Sequence, residues 1–431
     1  MTARGLVIAA PASGSGKTTV TLGLLRAFRD RGVAVAAAKS GPDYIDPAFH
    51  TAACGRVSVN LDAWAMLPDR LRGLAAGQGG ELLVAEGAMG VLDAAADGRG
   101  SAADLAAALG LPVVLVLALD GQGQSAALAP AGLRALRPDL PLAGVILNRA
   151  ASPRHAGLAR DALAAAGVPV FGTIPRSDAL ALPSRHLGLV LPGEVEGLEA
   201  MLARAAGVVA AEVDLDALLA SARPLAAPTA AAPGLPPLGR RIAVARDAAF
   251  AFAYPHLLAD WRTAGAEIGF FAPLADEPPP PDADAVFLPG GYPELHAGPL
   301  VAAARFAAGM RAAAARGAVI YGECGGFMAL GEVLIDAAGR DHPMLGLLPV
   351  ATSFAERRLS LGYRRLAPRP GAPWNQPLAG HEFHYATLTR TGPGEPLFDA
   401  ADATGRALPP MGLRRGRVAG SFAHVIGPLP G

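Results

Sequence analysis

The sequence predicts an α/β protein of two domains, each built on a parallel sheet, with a β-rich tail on the second. Three observations carry this. Over residues 5–220, short apolar runs alternate with Ala/Leu-rich helical stretches, the pattern of parallel strands covered on both faces. The first run leads into a glycine-rich turn and then a helix. A charge-free Pro/Ala stretch at 224–237 separates this series from a second one and reads as an extended linker.

In the first series the runs are residues 6–10, 33–38, 82–85, 113–119, 143–147 and 168–173. The second has runs at 242–245, 268–271, 285–288 and 319–321, then turn-rich segments beyond Gly346 and a late run at 418–422. The division is 1–222 for the first domain, 223–239 for the linker and 240–431 for the second domain. A length of 431 residues suits two or three domains of about 150 each.

Composition narrows the function. Hydrophobic residues make up 52% of the chain and mean hydropathy is +0.34. The longest strongly apolar run, 111–119, nevertheless falls short of the about 20 residues a bilayer requires. Residues 1–10 run straight into the glycine-rich turn and do not resemble a secretory signal. Lys+Arg and Asp+Glu both number 37, which argues against a nucleic-acid or anionic-membrane partner. Two distant cysteines, Cys54 and Cys324, make no metal or disulfide pattern and fit a soluble protein of the reducing cytoplasm. Of the 37 basic residues only Lys17 and Lys39 are lysine. A chain this rich in arginine keeps lysine where a compact charge on a thin stem is needed, so both are candidate site residues.

Lys17 lies in Pro11-Ala-Ser13-Gly14-Ser15-Gly16-Lys17-Thr18-Thr19. This is a P-loop in the required strand-to-helix context, with Pro11 where the first glycine usually stands. Backbone N–H groups of 13–19 would cradle phosphate, Lys17 would reach the β- and γ-phosphates, and Thr18 would ligate Mg²⁺. Lys39 opens Lys39-Ser-Gly-Pro-Asp43-Tyr44-Ile-Asp46-Pro, and the run at 82–85 ends in Glu86-Gly-Ala-Met-Gly-Val-Leu-Asp93. Carboxylates at the carboxyl ends of strands beside a P-loop commonly serve Mg²⁺, which singles out Asp43 and Glu86. Asp46 and Asp93 read either as site carboxylates or as helix caps. Asn148, with Arg149, reads either as an adenine contact or as an ordinary polar loop pair.

The second domain carries Val319-Ile-Tyr-Gly-Glu-Cys324-Gly325-Gly-Phe, a nucleophile elbow with cysteine. The helix that follows is expected to lower the thiol pKa. Gly290 and Gly291, in Leu-Pro-Gly290-Gly291-Tyr-Pro-Glu, would supply an oxyanion hole together with Gly325. His424 is the chosen base, with His381 and His384 as runners-up. Cys54 reads as a buried thiol. Arg357, Arg358, Arg364 and Arg365 read either as receivers of substrate carboxylates or as a solvated surface. Arg185 and His186 form a weaker candidate of the same kind.

Together PASGSGKTT, KSGPDYIDPAFH, EGAMGVLD, LPGGYPE and GECGGFMALG resemble the cobyrinic or hydrogenobyrinic acid a,c-diamide synthases of cobalamin biosynthesis, in order and over essentially the whole chain. The resemblance implies a dethiobiotin-synthetase-like domain followed by a class I glutamine amidotransferase domain. It also implies ATP-dependent amidation of a corrinoid polycarboxylate with glutamine as nitrogen donor, through acyl phosphates. By the same resemblance Asp43, Asp46, Glu86 and Asp93 serve Mg–ATP and carboxylate activation; Lys39, marked by the scarcity of lysine and its place after a strand, is expected in the nucleotide site. Tyr44 lies near the macrocycle, Cys324 is the nucleophile and His424 its base. A homodimer is implied by analogy with the synthetase domain. The glutamate that class I triads place two residues after the histidine is here Ile426, so what orients His424 is open. A nickel-sirohydrochlorin a,c-diamide synthase, a cobyric acid synthase and a non-amidating P-loop ATPase are the competing readings.

Overall fold

Apolar runs without polar alternation become strands buried on both faces. The computed structural model describes residues 4–177 and 190–431, which leaves Arg185 and His186 outside the described residues. The chain divides into two units, Met1–Pro233 and Gly234–Gly431.

The first unit alternates β1 (Arg4–Ala9), α1 (Lys17–Asp30), β2 (Val35–Ser40), α2 (Ile45–Cys54), β3 (Val59–Leu61), α3 (Pro68–Gly77) and β4 (Leu82–Glu86). It continues through α4 (Ala102–Leu109), β5 (Val113–Ala118), α5 (Leu128–Leu136), β6 (Leu142–Ala150), α6 (Pro153–Ala165) and β7 (Val170–Pro175). The strand order is β3-β2-β4-β1-β5-β6-β7, and each of these pairs is parallel. Leu6, Ile8, Leu24, Leu25, Val84 and Ile146 are fully buried between sheet and helices. Because β2, β4 and β1 are neighbours, the three loops leaving their carboxyl ends lie side by side.

Two helices, α7 (Leu198–Glu212) and α8 (Leu215–Ser221), lead to β8 (Arg223–Pro224). β8 pairs antiparallel with Arg4 and Gly5 of β1. The expected linker is therefore structured at its start. β5 joins β1 only from Val7 onward, and 223–224 satisfy the edge left open. β3, three residues long with a central Asn60, is too short and too polar to be read from the sequence.

The second unit begins with β9 (Arg241–Ala245), α9 (Pro255–Thr263), β10 (Glu267–Phe271), β11 (Ala285–Leu288), α10 (Ala297–Ala302), α11 (Ala304–Ala315), β12 (Val319–Glu323) and α12 (Gly325–Leu330). There follow β13 (Val333–Ile335), β14 (Asp341–Pro343), β15 (Val350–Ser353), β16 (Ser360–Pro368), β17 (Leu378–His384), β18 (Thr387–Thr391), β19 (Glu395–Asp402), β20 (Ala407–Arg415), β21 (Val418–Ser421) and β22 (His424–Pro428). The main sheet runs β10-β9-β11-β12-β21-β20-β19-β16-β17-β22. It is parallel from β10 to β21 and antiparallel thereafter. A smaller sheet has the order β14-β13-β15-β18.

Only Phe422 and Ala423 separate β21 from β22, although these strands sit far apart in the sheet order. The sheet therefore turns back on itself and returns β22 to the end of β12, where the Val425 N–H donates to Glu323 Oε1 at 2.9 Å.

Candidate active sites

In the first unit the P-loop joins β1 to α1. Gly16 precedes the helix at φ 80°, a left-handed conformation that favours glycine. A Cβ there would stand 2.3 Å from Asn148 Nδ2. Asn148 in turn donates to the Ser15 carbonyl at 2.9 Å, and its Oδ1 accepts the Arg149 N–H at 3.0 Å. Its side chain braces the loop from the end of β6. Ser13 and Gly14 are exposed, while the Ser15 hydroxyl donates to Ala12 O at 2.8 Å.

Both lysines sit here and both are buried, at 9% and 3% exposure for Lys17 and Lys39. Lys17 Nζ donates to Met89 O at 3.2 Å. Asp93 shapes the loop that offers this carbonyl by accepting the Gly90 N–H at 2.7 Å. Asp93 thus acts as a turn cap.

Lys39 Nζ lies 2.5 Å from Asp46 Oδ2, 2.9 Å from Glu86 Oε1 and 4.0 Å from Asp43 Oδ2. Thr18 Oγ1 donates to Glu86 Oε1 at 2.7 Å and lies 3.4 Å from Asp46. The second Glu86 oxygen meets His50 Nε2 at 2.7 Å. Burial alone would pull Lys39 down, but Glu86, Asp46 and Asp43 more than reverse it and hold the ammonium charged. Burial would likewise push Glu86 up, yet Lys39, His50 and Lys17 keep it far below the usual carboxylate range.

Asp43 has its side chain 32% exposed but is hemmed in by protein. Burial first, then Asp46, pushes it up to about 6. Its Oδ1 caps α2 by accepting the N–H groups of Ile45 and Asp46 at 2.8 and 3.1 Å. Tyr44 is half-buried just before that helix.

His50 and Asn60 were missed by sequence reasoning. His50 follows Asp46 by one helical turn, the available signal. Asn60 donates to Gly41 O and Asp43 O at 2.9 and 2.6 Å, fixing the 41–46 loop.

Among the described residues no group of three or more His, Cys, Asp or Glu forms a metal cage. The donor set still suits Mg²⁺, which takes one or two carboxylates and a hydroxyl and completes its shell with phosphate oxygens and water. Thr18, Asp46 and Glu86 present such hard oxygen donors within one cluster; Asp46 stands there beside Thr18, whereas the expected ligand Asp43 turns Oδ1 to the N–H groups of α2.

In the second unit Cys324 occupies the turn between β12 and α12 at φ 46° and ψ −104°, a strained conformation of the kind found at functional sites. Its N–H donates to Ser421 O at 2.8 Å. The glycines around it allow close packing. A Cβ on Gly326 would lie 1.9 Å from Leu288 O, and one on Gly325 would lie 2.8 Å from Pro293 and 3.0 Å from the Gly291 N. A Cβ on Gly290 would strike the His424 ring at 2.2 Å. The elbow, the 290–293 loop and His424 therefore converge.

The expected lowering of the Cys324 pKa is corrected. Burial is the main influence, and with the negative charge of Glu294 it pushes the thiol up; the six-residue helix α12 does not offset this. His424 is held neutral, down at about 3, by burial and then by His381 and His384. The resting pair is thiol and imidazole.

His384 has both ring nitrogens engaged, with Ala386 O at 2.9 Å and Glu382 at 3.3 Å. His381 pairs across strands with His424 and burial pulls it down to about 4. Arg364, 12% exposed, forms a buried ion pair with Glu382 at 2.5 Å. Arg365 donates to Ala403 O at 3.2 Å, whereas Arg357 and Arg358 are exposed.

Two further carboxyls went unassigned in the sequence, although both stand inside its motifs. Glu323 precedes Cys324, and burial pushes it up to about 8. Glu294 follows Tyr292-Pro293. Burial pushes it up to about 7, and its Oε2 is buried without a hydrogen-bond partner among the described residues. Cys54 is buried and donates to Arg56 O at 3.3 Å.

Fold and sites together define a chain with a P-loop nucleotide-binding domain followed by a glutamine amidotransferase domain. Residues 6–190 match the CobQ/CobB/MinD/ParA nucleotide binding domain family. Residues 241–427 match the CobB/CobQ-like glutamine amidotransferase domain family. The chain is 56% identical to the hydrogenobyrinate a,c-diamide synthase of Brucella abortus over 98% of both chains. It is 56% identical to that of Rhizobium meliloti over 98% of this chain and 99% of the relative, and 54% identical to that of Mesorhizobium japonicum over 99% of both. The chain belongs to the hydrogenobyrinate a,c-diamide synthase family. No helix among the described residues is long and apolar enough to cross a membrane.

Proposed function

We propose that the chain converts the a and c acetate side chains of hydrogenobyrinic acid to amides, spending one ATP and one glutamine on each. The observation that carries this reading is the presence, on one chain, of a buried lysine–carboxylate cluster at a P-loop and a thiol–imidazole pair at a cysteine elbow. Full-length relatives at 56% identity that bear the reaction's name support it.

A carboxylate is a poor electrophile because oxide is a poor leaving group. In the first unit a substrate carboxylate oxygen attacks the γ-phosphorus of ATP, ADP departs and an acyl phosphate forms. Lys17 and the N–H groups of 13–19 hold the phosphates and offset the charge that builds on them. Thr18, Asp46 and Glu86 would hold Mg²⁺, which when bound neutralises phosphate charge. Lys39 and His50 keep Glu86 ionised and aimed. Ammonia then displaces phosphate, and Asp43, with a pKa near its proton-accepting range at neutral pH, takes the surplus proton.

Free ammonia is mostly protonated at neutral pH, so it is released on the enzyme. Cys324 Sγ attacks the glutamine side-chain amide as its proton passes to His424. The oxyanion rests on the N–H groups of Gly291 and Gly325, with Gly290 packing the ring. His424 returns the proton to the leaving nitrogen, and water then cleaves the glutamyl thioester. The Glu294 carboxyl, whose Oε2 is buried, receives the α-ammonium of glutamine.

Mass spectrometry of the macrocycle after incubation with Mg–ATP and glutamine tests the reading. Hydrogenobyrinic acid, cobyrinic acid and nickel-sirohydrochlorin are offered separately, with Cys324→Ala as control. Two carboxyl-to-amide conversions on hydrogenobyrinic acid, lost in the variant and restored by ammonium salts, are expected. Conversion of nickel-sirohydrochlorin alone would assign the chain another macrocycle, and absence of glutaminase activity would overturn the reading.

A further inference from the structure

Imidazole works as a base only if one nitrogen faces the thiol and the other is held in the N–H form, a task that an acidic neighbour usually performs. His424 has no such neighbour on its own strand, where the residue two positions on is the buried, apolar Ile426. The return of β22 to the end of β12 supplies one from elsewhere. Glu323 Oε2 lies 3.8 Å from His424 Nδ1, with the two side chains 2% and 3% exposed. The other oxygen of Glu323 is pinned by the Val425 N–H at 2.9 Å, so the carboxyl is tied to the backbone residue adjoining the ring.

We infer that Glu323, in its ionised form, is the positioning residue of the glutaminase site, keeping His424 in its Nδ1–H form so that Nε2 accepts the Cys324 proton. The inference rests on the proposed hydrolysis of glutamine. The protons balance. The thiol proton moves to Nε2 as the S–C bond forms, the imidazolium donates through Nδ1 to Glu323, and the Nε2 proton leaves on ammonia as the C–N bond breaks.

The surroundings explain the need for an acid. His381 on β17 stands in register with His424, and burial above all disfavours a positive charge on the His424 ring. Arg364 on β16 and Glu382 on β17 are already paired with each other. Tyr321 and Cys324 on its own segment also face Glu323, and Glu294, on the loop that adjoins the elbow, acts on Cys324. Among these groups, Glu323 is the carboxyl whose distance to the ring is short and whose other oxygen is anchored beside it.

Glu323→Gln separates charge from shape, because the carboxamide oxygen still accepts the Val425 N–H. Steady-state rates are measured twice on the full-length protein, with glutamine and with ammonium chloride as nitrogen source. Glutamine-dependent kcat is expected to fall about 100-fold, on the scale of a lost acid–base partner. KM for glutamine should stay within threefold and ammonia-dependent amidation should be unchanged. Glu323→Asp should recover part of the lost kcat.

Glutaminase within threefold of the parent in Glu323→Gln would overturn the inference. So would a parallel loss of the ammonia-dependent rate, since that marks a structural role. A parent protein without glutaminase would instead overturn the reading on which the inference rests.

Discussion

Lys39 is the point at which the first site is most sensitive. Replacing it with methionine keeps much of its volume and removes the charge that Glu86 and Asp46 face at 2.9 and 2.5 Å. Asp46, 21% exposed, can rehydrate; Glu86, at 0%, cannot. Breaking a buried pair on one side costs about 3–5 kcal/mol. His50, 2.7 Å from Glu86, shares the remaining charge and pulls the loss toward the lower end. In a unit of 233 residues, each kcal/mol moves Tm by about 2–4 °C. Lys39→Met should therefore melt roughly 6–20 °C below the parent at pH 8.

The pH dependence carries the sharper test. In the parent, Glu86 is held below its ordinary 4.5, so its contribution is present above that value and is lost only as pH falls through a still lower one. In the variant, burial wins and Glu86 rises above 4.5 in the folded state. The variant then loses stability as pH climbs from about 4.5 through that raised value. The gap in Tm should be small near pH 4.5 and full at pH 8 by calorimetry, and Lys39→Met/Glu86→Gln should close most of it. A gap independent of pH, or a double variant no better than the single, would rule out an unpaired Glu86 charge as the cause.

Other consequences are open to direct measurement. Gly16→Ala puts a methyl 2.3 Å from Asn148 Nδ2 at φ 80°, and should raise KM for ATP at least tenfold while glutaminase activity is kept. Glu294→Gln removes the proposed partner of the glutamine ammonium, an interaction worth about 1.5–3 kcal/mol. Its KM for glutamine should rise about 10- to 150-fold with ammonia-dependent amidation intact. Since burial and Glu294 push the Cys324 thiol up, iodoacetamide should label the resting protein slowly at pH 7 and faster as pH rises, and Cys324→Ala should abolish that labelling.

Much of this was legible because it is local. The P-loop and the cysteine elbow are fixed by glycine spacing after an apolar strand, and parallel strands announce themselves by unbroken apolar runs. The scarcity of lysine marked Lys17 and Lys39, and the sheet order that sets β2 and β4 beside β1 brings them to one place. What escaped depends on contacts between distant segments. Glu323 meets His424 only because the sheet turns back, and His50 reaches Glu86 across two neighbouring strands. Arg364 could be taken for a free arginine until β17 placed Glu382 beside it. The thiol pKa was misjudged because a motif shows the helix that follows but not the burial that outweighs it. β8 escaped because a two-residue pairing leaves no periodic signal.

The proposed reaction turns on the first unit converting a substrate carboxylate into an acyl phosphate. Hydrogenobyrinic acid labelled with ¹⁸O in its acetate carboxyls, incubated with Mg–ATP and glutamine, tests this through the mass of the phosphate released. One ¹⁸O in the inorganic phosphate for each amide formed, with ADP as the nucleotide product, is the expected result. Unlabelled phosphate, or ¹⁸O appearing in AMP, would contradict it.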